Sequence, residues 1–183
     1  MDIKGHQITL KQLFFLLLYY SVGIRLPRSG TFFNLGGRFR YMCCKRIFLI
    51  CGKHVNIDRK VNFGVGIYLQ IGDYSGLGQN SVIPSNTIIG KYVMMGPNCY
   101  ILDHNHIFDD VSKPMIFQGK TKKIQTVIGD DVWIGRDVIM TPGRVVQNGS
   151  IIAAGCVLCK DFPSMSIIGG NPSKLIKSRV SSH

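Results

Sequence analysis

From Val65 the chain divides into units of six: VGIYLQ, IGDYSG, LGQNSV, IPSNTI, IGKYVM and MGPNCY. From Ile128 it does so again: IGDDVW, IGRDVI, MTPGRV, VQNGSI, IAAGCV and LCKDFP. The twelve first residues are Val65, Ile71, Leu77, Ile83, Ile89, Met95, Ile128, Ile134, Met140, Val146, Ile152 and Leu158, all apolar. In a chain that is 45% hydrophobic, chance gives this on the order of a few times in a thousand, even with free choice of phase. Seven of the twelve second residues are Gly, at 66, 72, 78, 90, 96, 129 and 135. The fifth residues are mostly small or β-branched: Ser75, Ser81, Thr87, Val93, Cys99, Val132, Val138, Ser150 and Cys156. A period of six suits neither a helix nor simple strand alternation; it suits a solenoid of short strands and turns. The first residue is expected to point inward and stack on its copy in the next coil. The Gly is expected to mark a turn with positive φ, and the small fifth residue to fill the convergence of the walls. Segment 47–64 reads as an irregular first coil.

The phase breaks once, over the 27 residues 101–127. An excursion of that length in a compact solenoid is usually functional. It opens with Asp103, His104 and His106 and also carries Asp109 and Asp110. After it comes IGDDVWIGRDVIMTPGRVVQNGSIIAAGCVLCKDFPSMSIIGGNPSKLIKSR.

The repeat resembles that of the hexapeptide-repeat acyltransferase superfamily. The ending resembles that of galactoside, maltose and xenobiotic acetyltransferases and of capsule and O-antigen O-acetyltransferases. Trp133, Pro142, Gly143, Ala154, Gly155, Lys160, Asp161, Pro163, Gly170, Asn171, Pro172 and Lys174 carry the match, which spans residues 65–179. Gln147, where Gly is usual, Cys156, where Ser is usual, and Arg144, in an inward fifth position, depart from it. An unpaired buried guanidinium is costly, so either that coil opens or Arg144 finds a partner at its edge.

The resemblance implies an all-β solenoid, a left-handed parallel β-helix. Three units make a coil in that family, so the prism has about five triangular coils, counting the irregular first one. The expected organisation is a helical, basic cap over 1–46, the β-helix over 47–179 with the excursion loop at 101–127, and a tail over 180–183. The resemblance also implies transfer of an acetyl group from acetyl-CoA to a sugar hydroxyl, with a His general base and no covalent intermediate. A surface polysaccharide unit is the favoured acceptor. A free sugar, an amino sugar or an antibiotic stays open, as does a non-catalytic hexapeptide scaffold. Ungapped alignment puts His106 on the family's catalytic His. His104 lies two residues earlier, on the same side of an extended segment, and Asp103 can hold an imidazole tautomer. No metal is expected, because His104 and His106 lack a well-spaced third ligand. Carried over by position, the CoA contacts fall on Trp133, Arg136, Ala154, Cys159, Lys160, Lys174 and Lys177. They lie in a groove between subunits, so a homotrimer is expected.

A net charge of +12 calls for an anionic partner: nucleic acid, a phosphorylated cofactor or acidic lipid. The basic residues form no nucleic-acid motif, so no nucleic acid is expected. Lys160, Lys174 and Lys177 suit CoA phosphates instead. Near the N-terminus, LKQLFFLLLYYSVGIRL reads as a helix that is apolar nearly all round, ended by Pro27, Ser29 and Gly30. Basic and apolar residues then alternate through GGRFRYMCCKRIFLICGKHVNI. This region reads as a cap on the first coil or as a basic surface for the inner membrane face, and both can hold. No apolar run reaches the roughly 18 residues that span a bilayer, and no cleavage-site pattern follows it, so a cytoplasmic protein is expected. Six cysteines without a second CxxC pattern read as reduced core thiols, Cys156 and Cys159 included.

Overall fold

A computed structural model describes residues 7–30 and 32–180. The chain is a left-handed parallel β-helix of triangular section, closed at its N-terminal end by two helices. Each face is a ladder of two-residue parallel strands, and the second ends in a longer antiparallel pair, Ser166–Gly169 with Lys174–Ser178. The inward residues of the first face are Cys51, Ile71, Ile89, Ile128 and Val146. Those of the second are Ile57, Leu77, Met95, Ile134, Ile152 and Ile168. The third carries Phe63, Ile83, Ile101, Met140 and Leu158. Five coils are complete, and Phe162, bridged to Val146, starts a sixth with Ile168.

From Ile71 onward the first residues of the units are buried as the period requires, apart from half-buried Met95. The small fifth residues, Ser75 through Cys156, are all 1% exposed or less. Two expectations fail. Val65 does not begin the repeat: it is exposed, while Phe63, Ile67 and Leu69 are buried. Phe63 closes the first coil, and the chain takes eight residues rather than six to reach Ile71, so 64–69 carry a two-residue bulge exposed at Gly64 and Val65. The regular phase therefore begins at Ile71, and the apolar Val65 is not its first member.

The positive φ expected at the repeat glycines is also largely absent. Of the seven, only Gly66, in that bulge, has positive φ, at 69°. The left-handed turn sits two residues later, in the fourth position: Tyr74, Asn80, Tyr92, Asn98, Asp131 and Asp137 have φ of 54° to 60°. The repeat glycines answer a different need, close stacking of one coil on the next. A Cβ on Gly72 would lie 2.7 Å from Gly90 C, and one on Gly78 would lie 1.8 Å from Gly96 O.

Arg144 leaves its inward position. Its guanidinium donates to the carbonyls of Cys159 (3.0 Å) and Pro142 (3.3 Å) and pairs with Asp161 at 3.3 Å. The cysteine expectation holds for Cys99 and Cys156, which are buried, but Cys159 is exposed at a corner.

The cap is α1 (Leu10–Ser21) and α2 (Leu35–Ile47). Thr9 begins α1 with a reciprocal capping box to Gln12. Tyr19 is buried against Phe63, its hydroxyl donating to Val61 O at 2.8 Å. From α2, fully buried Arg40 donates to the carbonyls of Ile57, Gly23, Leu26 and Pro27 and to Ser29 Oγ. The charge is thereby paired with backbone dipoles at the end of the prism. No helix among the described residues is long and apolar enough to cross a membrane.

Gly78→Ala should destabilise the protein by about 1–3 kcal/mol, because the added methyl meets backbone that cannot move aside. Gly76→Ala, whose Cβ would have nothing nearer than 3.7 Å, should change stability by less than about 1 kcal/mol. Thermal denaturation of the two variants measures the contrast.

Candidate active site

The excursion leaves the prism at the corner that follows the third face of the third coil. Ile101 is still inside, pairing with Met140, and Leu102 N donates to Met140 O at 3.0 Å. The excursion then forms a ribbon of two antiparallel arms. Asn105 and Thr121 bond, Ile107 N donates to Gly119 O, and His106 bridges Lys120. Near the tip, the Gln118 amide ties down Asp110 and Lys113. The arms return to the prism where Ile124 N donates to Asp103 O at 2.7 Å.

At the root of this ribbon, the Asp103 side chain lies only 13% exposed between an imidazole and an ammonium group. His104 Nδ1 is 2.5 Å from Asp103 Oδ1, and Lys123 Nζ is 3.0 Å from Oδ2. Partial burial opposes the Asp103 charge, but the hydrogen bonds from His104 and Lys123 outweigh it and hold the carboxyl below its ordinary value of 3.8. An imidazole whose Nδ1–H is bound to a carboxylate keeps Nε2 free to accept a proton. Asp103 and His104 face a cavity of about 380 Å³ whose wall includes Val65, Ser85, Tyr100 and Lys123. A second cavity of about 290 Å³ shares Asp103, Lys123, Val65 and Ser85 with it and adds Tyr68 and Asn86. His106, by contrast, is exposed on the outgoing arm and lines neither cavity.

Lys123, Tyr68, Ser85 and Asn86 carry no signal in the sequence. The nearest thing to one is the lost phase between Phe63 and Ile71, which pushes Val65 and Tyr68 toward this corner. A larger cavity of about 800 Å³ lies between α2 and the first coil, lined by Arg38, Tyr41, Lys53 and His54. It holds no carboxylate–imidazole pair, so the smaller cavities are the better chemical candidate.

The positions expected to meet CoA form separate groups. Arg136 and Ala154 stack on the corner before the third face, where Gly155 N donates to Arg136 O at 2.9 Å. Arg136 also pairs with Asp137 at 2.8 Å. Trp133 points out from the second face, half exposed, between Met94 and Ile151. The same ladder continues through Ile167 to Lys177 on the last strand, which also carries Lys174. Cys159 and Lys160 lie on the other edge of the third face, on the corner two coils beyond Asp103. Cys159 N donates to Ser173 Oγ at 3.1 Å, and hydrogen bonding to Ser173 holds the exposed thiol below its ordinary range. Within one chain, then, Trp133, Arg136 and Ala154 are divided from the Asp103–His104 pair by the width of the third face. Among the described residues, no group of three His, Cys or Asp side chains could hold a metal ion.

Residues 125–160 match the family model described as bacterial transferase hexapeptide (six repeats). The chain is similar to WbbJ of Escherichia coli K12, named for lipopolysaccharide biosynthesis O-acetyl transfer. Identity is 32% over 94 residues, covering 48% of each chain. The chain spans 26% to 53% of the length of the curated relatives it matches. Among solved structures it resembles a hexapeptide-repeat acetyltransferase of Vibrio cholerae O1 biovar eltor complexed with acetyl coenzyme A. The TM-score is 0.69 at 26% identity, over 78% of this chain and 77% of that one. It shares its fold with a galactoside acetyltransferase in complex with coenzyme A, at TM-score 0.78 and 23% identity, over 98% and 86% of the two chains.

Because the Asp103 carboxyl is lowered on folding, it stabilises the protein above its unfolded value. That contribution falls away as pH drops through the folded value, below 3.8. The stability gap between the natural protein and Asp103→Asn should therefore be constant above about pH 5 and close in strong acid. Denaturant titration at a series of pH values measures it.

Proposed function

We propose that this chain, a left-handed β-helix built on the bacterial transferase hexapeptide repeat, transfers an acetyl group from acetyl-CoA to a sugar hydroxyl. The observation that carries this reading is the Asp103–His104 pair, 2.5 Å apart and facing a cavity at the root of the one excursion from the repeat. The sugar hydroxyl enters this cavity and gives its proton to His104 Nε2 as its oxygen attacks the thioester carbonyl. Collapse of the tetrahedral adduct breaks the C–S bond, and the imidazolium returns the proton to the departing CoA thiolate. Asp103 stays ionised throughout and stabilises the imidazolium. Sequence spacing favours His106 as the base. The carboxylate partner and the cavity favour His104, with His106 on the outer arm toward the acceptor.

Acetyl-CoA lies against the C-terminal coils. Lys160, Lys174, Lys177 and Arg136 meet its phosphates, small Ala154 admits the pantetheine arm, and Trp133 and Cys159 border it. The likeness to a neighbour solved with acetyl-CoA supports this. The third face divides Trp133, Arg136 and Ala154 from His104, so one subunit's cofactor residues serve the next subunit's imidazole in a homotrimer. The half-exposed Met94, Trp133, Tyr100 and Ile139 on the outer faces fit such packing. A surface polysaccharide unit is the acceptor, a reading supported by the similarity to WbbJ.

CoA release from acetyl-CoA, screened over nucleotide sugars, lipid-linked glycans and free sugars, identifies the acceptor. With that acceptor, His104→Ala should lower kcat by about 10²- to 10⁴-fold, while His106→Ala should change it by less than about tenfold. The reverse order would move the base to His106, and turnover retained by the double variant would remove histidine catalysis altogether.

A further inference from the structure

Outside the acyl-transfer site, the cap presents an apolar surface that its own chain leaves uncovered among the described residues. We infer that α1 docks this protein on a membrane surface, lying in the interface of a bilayer that carries anionic phospholipid.

Leu10, Leu13, Phe14 and Leu17 are 87%, 40%, 58% and 62% exposed. Their spacing of three and four residues puts them on one stripe of the helix. The opposite side is fastened down: Tyr19 is buried with its hydroxyl on Val61 O, and Gln12 Nε2 donates to Ile47 O at 3.1 Å. The stripe is therefore held outward by a rigid mount. Twelve residues of helix span only about 18 Å, against the roughly 30 Å of a bilayer's hydrocarbon core, so α1 lies along a membrane and does not cross it.

Charge selects the occupant. Residues 7–57 hold eight Lys and Arg and no Asp or Glu. Three of these cations lie on or against α1. Lys11 is on α1 itself. Arg46 lies 5.8 Å from the Phe15 ring, and Arg25 donates to Tyr20 O at the end of the helix. An apolar stripe with cations on or against its helix fits acyl chains beneath anionic headgroups. A second copy of this chain would bring the same cations against it, like charge facing like.

The test is sedimentation of the full chain with phosphatidylcholine vesicles, with and without phosphatidylglycerol. Binding is expected to the anionic vesicles, to weaken with salt, and to fall at least about tenfold in Phe14→Glu/Leu17→Glu. Lys11→Glu/Arg46→Glu leaves the buried side of the helix untouched and should lose only the preference for phosphatidylglycerol. Circular dichroism and light scattering report fold and mass. The inference is overturned if the natural protein ignores anionic vesicles, or if a folded Phe14→Glu/Leu17→Glu variant binds as well as it does. Should that variant not fold, unchanged partition of Lys11→Glu/Arg46→Glu overturns it instead. A change of mass on substitution, without vesicle binding by the natural protein, would make the stripe a subunit contact and equally end the proposal. The assay contains neither acetyl-CoA nor sugar, so its failure is distinct from failure of the acetyl-transfer reading.

Discussion

Backbone contact between successive coils is the constraint on which the rest of this molecule depends. Each strand contributes only two residues to a face, too few to hold a sheet by side-chain packing alone. The ladder hydrogen bonds therefore have to continue from coil to coil, as from Gly72 N to Ile89 O and from Gly90 N to Ile128 O. That continuity brings the corners so close that a Cβ on Gly90 would lie 2.7 Å from Gly129 C. Glycine at the second position satisfies this spacing, and an inward aliphatic before it fills the space enclosed by three walls. The left-handed residue at the fourth position then turns the chain toward the next face, tolerating Tyr and Asn because the stacked turns hold it. Asn98 illustrates the stacking, bonding to Asn80 below and Asp137 above.

A prism built this way has rigid faces and exchangeable corners, and the candidate chemistry sits at a corner. The excursion leaves after Ile101 and returns at Val127 without disturbing the ladders, because Met140 still pairs with Ile101 and Ile128 with Ile89. Between those fixed ends the chain folds Asp103, His104 and Lys123 into a charged cluster. The bulge at 64–69, two coils earlier and on the same side, supplies part of the wall that makes a cavity of it. Both irregularities exploit the same freedom, since insertions at a corner cost no stacking. Arg144 uses the complementary freedom by reaching to the edge of the core, where the carbonyls of Pro142 and Cys159 and the carboxylate of Asp161 meet its guanidinium.

The open end of the prism needs a different solution. The first coil has no neighbour below it, and its carbonyls would be left facing the cap. Arg40 meets that need with donors that reach the first coil and the α1–α2 connection together, and burial pulls its pKa down while Asp58 partly offsets the loss. The outward side of α1 is a by-product of this arrangement: the helix has more apolar surface than the end of one small prism can cover.

The coil period, the inward residues from Ile71 on, the small fifth positions and the place of the interruption could all be read from the chain, because each is repeated or breaks a repeat. So could the Asp103, His104 and His106 cluster, since polar residues at a phase break have no packing role to explain them. The chain's periodicity alone specifies the solenoid and the interruption that carries the candidate site. Only the tertiary structure decided that the repeat begins after a bulge at 64–69, that glycine serves close approach and not positive φ, that Cys159 is exposed, and that Asp103 joins His104 to Lys123. Each of these depends on contacts between residues one coil or one excursion apart. Such contacts are fixed by the distance between stacked backbones, and that distance leaves no period in the sequence to read.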